Sequence, residues 1–402
     1  MRILQITRFY ALTGGAEKTA RLAARGLRAE GHDVLTAHGD ANAAGEPDAV
    51  YLPAVARARP GRPRGALRAL QRLAARFRPD VIHFHLFDDP LTVRALNRKT
   101  PVVRSSHGSW PYCPSGTKYW PGRREVCDRP FGGGCIAGAR RWGCARRDYL
   151  GDMGRLELAA SLAACYAFRA VDARLGAVVV PSRWLADLMA RAGADRRRLV
   201  VVPPPAEIPP VFVPLNGGPP RIAAVGRLTY VKGFDDVIRA LGFLPRAVEL
   251  VVAGAGPQEG ALRDLARRLG VASRVAFLGW VPNAELPSVF AAAAVVALPT
   301  LCPEAFGHVG LEAMACGRPV VAYRVGGIPE WLEDGRVGFL AEPHHPRDLA
   351  AKLGKVLAAP AAAARMGEAG REAVVRYSAA AHARRLLAVY EEATARFKRL
   401  DR

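Results

Sequence analysis

Residues Leu301–Glu330, LCPEAFGHVGLEAMACGRPVVAYRVGGIPE, restrict the fold more than any other stretch. An apolar run from Val289 to Leu298 leads in and reads as a helix end running into a buried strand. Pro299 and Pro303 stop that strand and fix a loop. A helix is expected from Phe306 or Gly307, carrying Leu311, Ala313, Met314 and Ala315. Gly317 supplies its left-handed cap and Pro319 prevents continuation. PVVAY is the next strand, and Gly326-Gly327 a second tight loop.

Two of its carboxylates flank the helix start, with seven residues between them. Glu304 sits on the loop entering the helix and Glu312 in its second turn. Helix side chains lean toward the N-terminus, so Glu312 is expected to reach back toward the site that Glu304 faces. Free N–H groups at Phe306 and Gly307 suit a phosphate. The carboxylates suit hydroxyls, because one carboxylate accepts two hydrogen bonds from a vicinal diol. Phosphate beside hydroxyls means a nucleotide sugar. The bland alternative is two solvated glutamates on a helix face.

The stretch resembles the retaining glycosyltransferases of family 4, which have the GT-B fold of two facing Rossmann-like domains with parallel sheets. The residues that carry the resemblance are Glu304, Phe306, Gly307, Glu312, Ala313, Ala315, Gly317, Pro319, Val320, Val321, Ala322, Gly326, Gly327 and Glu330. The resemblance implies a donor site that includes Ala305 beside these glutamates. A second match is RIAAVGRLTYVKGFDDVIRAL, where a strand ends at Gly226 and Arg227, Lys232 and Gly233 follow. The resemblance implies that Arg227 and Lys232 hold the donor diphosphate. Fixed cations there stabilise a leaving group that gains charge in the transition state. An ordinary solvated pair is the alternative. Further on, the family lays the base against backbone near Val281-Pro282.

The N-terminal half opens with the strand RILQIT, a loop ending in Gly14-Gly15, an amphipathic helix and the strand HDVLTA. This Rossmann-like unit lacks G-x-G-x-x-G, so no dinucleotide follows from it. The resemblance implies that Gly14 and Gly15 let the backbone approach the donor phosphates or the acceptor. A plain turn is the alternative. Arg64, Arg68, Arg72 and Arg76 recur every four residues, with Leu67, Leu70, Leu73 and Phe77 on another face. Such a helix either packs its leucines on the sheet or sits on an anionic membrane. The strands PDVIHFH and PVVRSSHG bring His83, His85 and His107. His107, at a strand's C-terminal end, best fits the family's histidine near the transferred sugar; His85 is second, and His83 reads as structural.

Cys113, Cys127, Cys135 and Cys144 fall in a Gly-, Pro- and Arg-rich segment with neither helical nor strand period. Their spacing leaves three readings open: a tetrahedral structural zinc, unliganded thiols, or disulfides. Where the family shows P-N-G-V-D, this chain has Pro203-Pro204-Pro205-Ala206-Glu207. The expected organisation is an acceptor-side domain over 1–203 with the cysteine-bearing loop at 110–147, and a Pro-rich linker over 204–220. A nucleotide-sugar domain over 221–378 follows, then a C-terminal helix over 379–402 that crosses back.

The chain carries 58 basic and 36 acidic residues, a formal net charge of +22. That field favours anionic partners. Arg8 interrupts the N-terminal apolar run, so it does not read as a signal peptide. A cytoplasmic location follows as an expectation, with peripheral contact at the inner face of the cell membrane. No D-x-D follows an apolar strand, so no cofactor is expected in catalysis. The sequence-level function is a hexosyltransferase that moves a sugar, with retention, from a UDP-sugar in preference to a GDP-sugar. The acceptor is a glycan, a lipid-linked sugar or a small metabolite, as in cell-envelope polysaccharide biosynthesis. The rival readings are a sugar-nucleotide epimerase or hydrolase of the same fold and a basic nucleic-acid-binding protein. No aromatic-rich basic motif supports the last, and no nucleic-acid partner is expected.

Overall fold

The structure is a computed structural model that describes residues 1–11, 14–46, 49–58, 64–144, 146–147, 151–209, 215 and 220–400. Residues 12–13 of the first glycine loop lie outside the described residues, as do 210–214 and 216–219 of the expected linker. Two parallel sheets organise the chain. The first contains β1 (Arg2–Thr7), β2 (Asp33–His38), β3 (Ala49–Tyr51), β4 (Val81–His85), β5 (Val102–Ser105), β6 (Ala177–Val180) and β7 (Leu199–Val201). Their spatial order is β7-β6-β5-β4-β1-β2-β3, and every neighbouring pair is parallel.

The second sheet contains β8 (Arg221–Val225), β9 (Glu249–Ala253), β10 (Val275–Gly279), β11 (Val295–Leu298), β12 (Val320–Tyr323) and β13 (Gly338–Ala341). Its order is β10-β9-β8-β11-β12-β13, again parallel throughout. The central strands VVAL and VVAY are buried along their whole length. Continuous apolar runs of this kind belong to sheets covered on both faces, which parallel crossovers require.

In the first sheet the order reverses between β1 and β4; in the second it reverses between β8 and β11. Open α/β sheets bind ligands beyond the carboxyl ends of the strands at such points. Beyond β1 lies Gly14-Gly15, opening helix α1 (Gly15–Ala29). His85 ends β4, and His107 lies beyond β5. Beyond β8 come Gly226 to Lys232, and beyond β11 the loop to Glu304.

Helix α2 (Arg64–Phe77) settles the two readings of the arginine-rich segment. Leu70 is fully buried in the first domain's core, and Leu67, Leu73 and Phe77 pack against it. Burying one such leucine contributes about 1.5–3 kcal/mol, so this apolar face is committed to the sheet and cannot seat the helix on a membrane. Among the described residues no helix is long and apolar enough to cross a membrane.

The cysteine-bearing segment is more structured than its composition suggests. It contains a two-stranded hairpin, Tyr119–Trp120 against Glu125–Val126, and helix α3 (Gly133–Trp142). Glycines at its start hid that helix from a propensity argument; Ile136 and Ala139 pack it against Met153 and Leu158. Tyr112 ties the segment back by donating to Asp172 Oδ2 at 3.0 Å, and Asp172 is itself paired with buried Arg104. The hairpin then reaches the other domain. Tyr119 is fully buried in the second sheet's core, and Arg124 Nη2 lies 3.3 Å from Asp236 Oδ1.

Other contacts fix the two sheets face to face. Helix α4 (Arg183–Arg191) begins beyond β6, and its first N–H groups, at Arg183 and Trp184, donate to Glu330 at 3.0 and 2.8 Å. A carboxylate on a helix N-terminus is a favourable charge–dipole arrangement. Helix α5 (His308–Ala315) follows β11 and faces α1. Helix α6 (Ala379–Leu400) crosses back and packs Ala383, Leu386 and Tyr390 against Ile3, Val81 and Val103 of the first sheet.

Candidate active site

A cavity of about 260 Å³ lies between the two sheets. The first domain contributes Gly15 and His107 to its wall; the second contributes Gly226, Lys232, Glu304, Ala305, Phe306, Gly307 and His308. Residues from opposite ends of the sequence motifs therefore meet at one place, where the two reversal points face each other.

Backbone geometry explains the glycines. Gly326 has φ +58°, and a Cβ there would stand 2.0 Å from the Glu304 carbonyl oxygen. The Gly327 N–H donates to that same oxygen at 2.8 Å, so the glycine pair cradles the Glu304 loop. Gly15 answers a different demand. Its missing side chain lets His308 approach, since a Cβ would stand 2.5 Å from the imidazole Cδ2. Gly14 is the N-cap of α1 and does not line the cavity.

Lys232 and Glu304 form an ion pair inside the cavity. Burial works against the Lys232 charge, but Glu304 outweighs it and holds the lysine pKa above its ordinary value. The site thus keeps one fixed cation and one fixed carboxylate in place. The first turn of α5 adds His308 and Val309 to the wall, so the helix N-terminus opens on the cavity. The sequence reading placed the free N–H groups at Phe306 and Gly307; the helix begins at His308, and Phe306 and Gly307 line the cavity just before it. Arg227 is exposed on the loop between Gly226 and Lys232 and lies outside the cavity wall, close enough to oppose the Lys232 charge.

Glu312 departs from expectation. It does not line the cavity that holds Glu304. It lines a neighbouring one of about 470 Å³, with Lys18, Arg25, Glu207, Asn283, Leu286 and Phe290 among its walls. Lys18 of α1 takes the side chain, with Nζ 2.7 Å from Glu312 Oε1. Burial again opposes the charge, and Glu312 and Glu207 outweigh it to raise the Lys18 pKa. Val281 is half-buried beside this second cavity, two residues before Asn283, and lines neither. Lys18 and His308 went unread in the sequence. Each stands beside a motif already found: Lys18 lies one turn past Gly14-Gly15, and His308 follows Gly307.

His107 is half-buried on the cavity wall. Burial, then His308 and Arg104, push its pKa down to about 3, so it is neutral at working pH. Burial followed by Lys18 likewise takes His308 to about 4. His83 is structural, as expected: its two nitrogens bond Tyr390 Oη at 2.7 Å and Ser105 Oγ at 2.8 Å.

Cys113, Cys127, Cys135 and Cys144 all border one cavity of about 100 Å³ with Trp120 and Trp142, away from the cleft. All four are free thiols. Among the described residues no group of three or more His, Cys, Asp and Glu side chains is close enough together to hold a metal ion as placed. Burial, then the neighbouring thiols, raises the Cys144 pKa to about 12, which leaves it unreactive as a nucleophile.

Two facing parallel α/β sheets with a polar cleft between their carboxyl ends define the GT-B architecture. Solved structures agree over nearly the whole chain. A sucrose-phosphate synthase from Thermosynechococcus elongatus superposes with TM-score 0.73 at 21% identity, covering 98% of this chain and 100% of that one. The Anabaena HepE structure in complex with UDP gives 0.70 at 19% identity, covering 97% and 100%. Sequence models of two families match in succession: Glycosyltransferase Family 4 over residues 13–208 and Glycosyl transferases group 1 over residues 210–373. The chain belongs to glycosyltransferase family 4.

Among curated relatives, a GDP-mannose-dependent alpha-(1-6)-phosphatidylinositol monomannoside mannosyltransferase from Mycolicibacterium smegmatis is 42% identical over 164 residues, 39% of this chain and 43% of the relative. A D-inositol 3-phosphate glycosyltransferase from Corynebacterium efficiens is 36% identical over 233 residues, 52% of this chain and 54% of the relative. The chain thus spans about half the length of the curated relatives it matches.

Proposed function

We propose that the protein transfers a hexosyl group from a nucleoside-diphosphate sugar to an acceptor hydroxyl, with retention at the anomeric carbon. The observation that carries this reading is the convergence of Lys232, Glu304, His107 and the α5 N-terminus on one cavity between the sheets. The diphosphate lies against Lys232 and the helix N-terminus, with Arg227 at the rim. The sugar lies between Glu304 and His107. The nucleoside extends into the neighbouring cavity, where Glu312 exchanges Lys18 for the ribose diol.

Positive charge develops on the sugar ring as the glycosidic bond breaks, and negative charge on the departing diphosphate. Glu304 and Lys232 oppose these two charges from fixed positions, which is where electrostatic catalysis gains most. Retention follows front-face attack, with Glu304 as a binding and electrostatic residue. The donor base stays between UDP and GDP: the sequence reading favoured UDP, while the mannosyltransferase relative is named for GDP-mannose.

The test is product analysis with UDP- and GDP-hexoses, with and without a panel of glycan and lipid-linked acceptors, in EDTA. Release of the nucleoside diphosphate that rises with acceptor and persists in EDTA is the expected result. Acceptor-independent release or epimerisation would establish the rival enzyme reading. Activity abolished at once by EDTA and restored by Mg²⁺ or Mn²⁺ would contradict the metal-independent diphosphate clamp.

A further inference from the structure

We propose that His85 is a positioning residue that fixes the tautomer of His107, so that His107 presents Nδ1–H to a sugar oxygen in the cleft. The inference rests on reading the cleft as the donor site. Its premises are geometric. His85 closes β4, fully buried, and its Nδ1 lies 3.2 Å from His107 Nε2. Its ring is held on the other side by His83, at 4.0 Å between centroids, and His83 is locked by Tyr390 and Ser105. The chain Tyr390–His83–His85–His107 thus runs from the core beneath α6 to the cavity wall.

One proton lies between His85 and His107, and it has two possible owners. If His107 owned it, His85 would carry its own proton on Nε2. That atom is buried and has no partner among the described residues. A buried N–H donor without an acceptor is rarer than an under-used acceptor. The other arrangement gives the proton to His85 Nδ1, which donates to His107 Nε2. Both rings are held neutral, by burial first and by neighbouring histidines after it, so each carries a single proton. The His107 proton then sits on Nδ1. Among the described residues that atom has no hydrogen-bond partner, and it belongs to a ring on the cavity wall. In a histidine, the bond made by one nitrogen decides what the other offers. Here the hidden nitrogen is set by His85, and the offered one becomes a donor aimed at ligand oxygen.

The experiment reads the tautomer directly in unliganded protein, so it does not depend on the donor assignment. The full chain is labelled with 15N-histidine, and the His107 resonances are those lost in His107→Gln. The expected spectrum has a protonated Nδ1 and an unprotonated Nε2. His85→Phe removes the donor, and the resonances should move toward the Nε2–H form. His85→Asn places an amide N–H near the lost Nδ1–H and should restore the wild-type pattern. With a nucleotide sugar that the wild type turns over, His85→Phe should lower kcat/KM on the order of tenfold, with recovery in His85→Asn. A wild-type His107 protonated at Nε2, or a tautomer unmoved by His85→Phe in a protein of unchanged melting temperature, would overturn the proposal. The expected tautomers with no kcat/KM change would separate the two claims: His85 would still set the proton, and the cleft would lose its role as sugar site.

Discussion

Lys232→Ala should lower kcat/KM by about 10²- to 10³-fold, or about 3–4 kcal/mol of transition-state stabilisation, the range seen when a preorganised electrostatic group is removed. The effect is large because the ammonium is fixed before substrate arrives. Its loop is held by β8 on one side and by the β11 loop on the other, where the N–H of Leu301 donates to the Val231 carbonyl at 2.8 Å. The substitution removes a second thing as well. Glu304 loses its counter-charge and remains half-buried, so the carboxylate is no longer held in place by an ion pair. Steady-state kinetics on folded mutant protein, checked by its melting temperature, measure the loss. Wild-type kcat/KM would sink the diphosphate clamp.

Glu304→Gln should act on kcat, and Glu312→Gln on KM. Gln keeps the size and one acceptor, so each substitution isolates charge. Glu304 lines the same cavity as Lys232 and His107, and in the proposed reading it faces the ring where positive charge develops. Its charge is worth more in the transition state than in the ground state, so kcat should fall by about 10²-fold with a smaller change in KM. Glu312 lies in the neighbouring cavity, away from the breaking bond. Its contact with a ribose diol exists before and during reaction, so its loss is uniform binding and raises KM. Lys18 adds a feature absent from the sequence argument: the nucleoside has to displace a lysine that already holds Glu312. Lys18 would lose that partner in Glu312→Gln, so part of the KM increase should appear as altered salt dependence. The opposite kinetic split would exchange the roles of the two glutamates, and full activity in both would place the donor elsewhere.

Much of this site was legible because its parts are local. The loop at Glu304, the Gly326-Gly327 cradle and the Gly226–Lys232 turn are each set within a few residues by strand ends, glycines and prolines. Their convergence follows from parallel sheets whose strand order reverses. What the sequence withheld was contact between distant segments. Lys18 and Glu312 are 294 residues apart, and only the packing of α1 against α5 brings them to 2.7 Å. The same holds for Glu330, found as part of a motif but explained only when its carboxylate appears on the first N–H groups of α4. The cysteine segment was hard to read for another reason. Its composition suggested a loop without a core, yet Tyr112, Ile136 and Tyr119 give it apolar and polar anchors in both domains. Net charge carried little information: many arginines are spent on exposed faces such as Arg68, Arg72 and Arg76 of α2.

The central claim is that the cleft between the two sheets holds a nucleoside diphosphate without a bridging metal. Isothermal titration of the full chain with UDP and GDP in EDTA, with UMP and GMP as controls, tests it most directly. The account predicts saturable one-to-one binding of at least one diphosphate, clearly tighter than its monophosphate, and weakened in Lys232→Ala. Absence of saturable binding by either diphosphate, or equal affinity for diphosphate and monophosphate in wild type and Lys232→Ala alike, would contradict it.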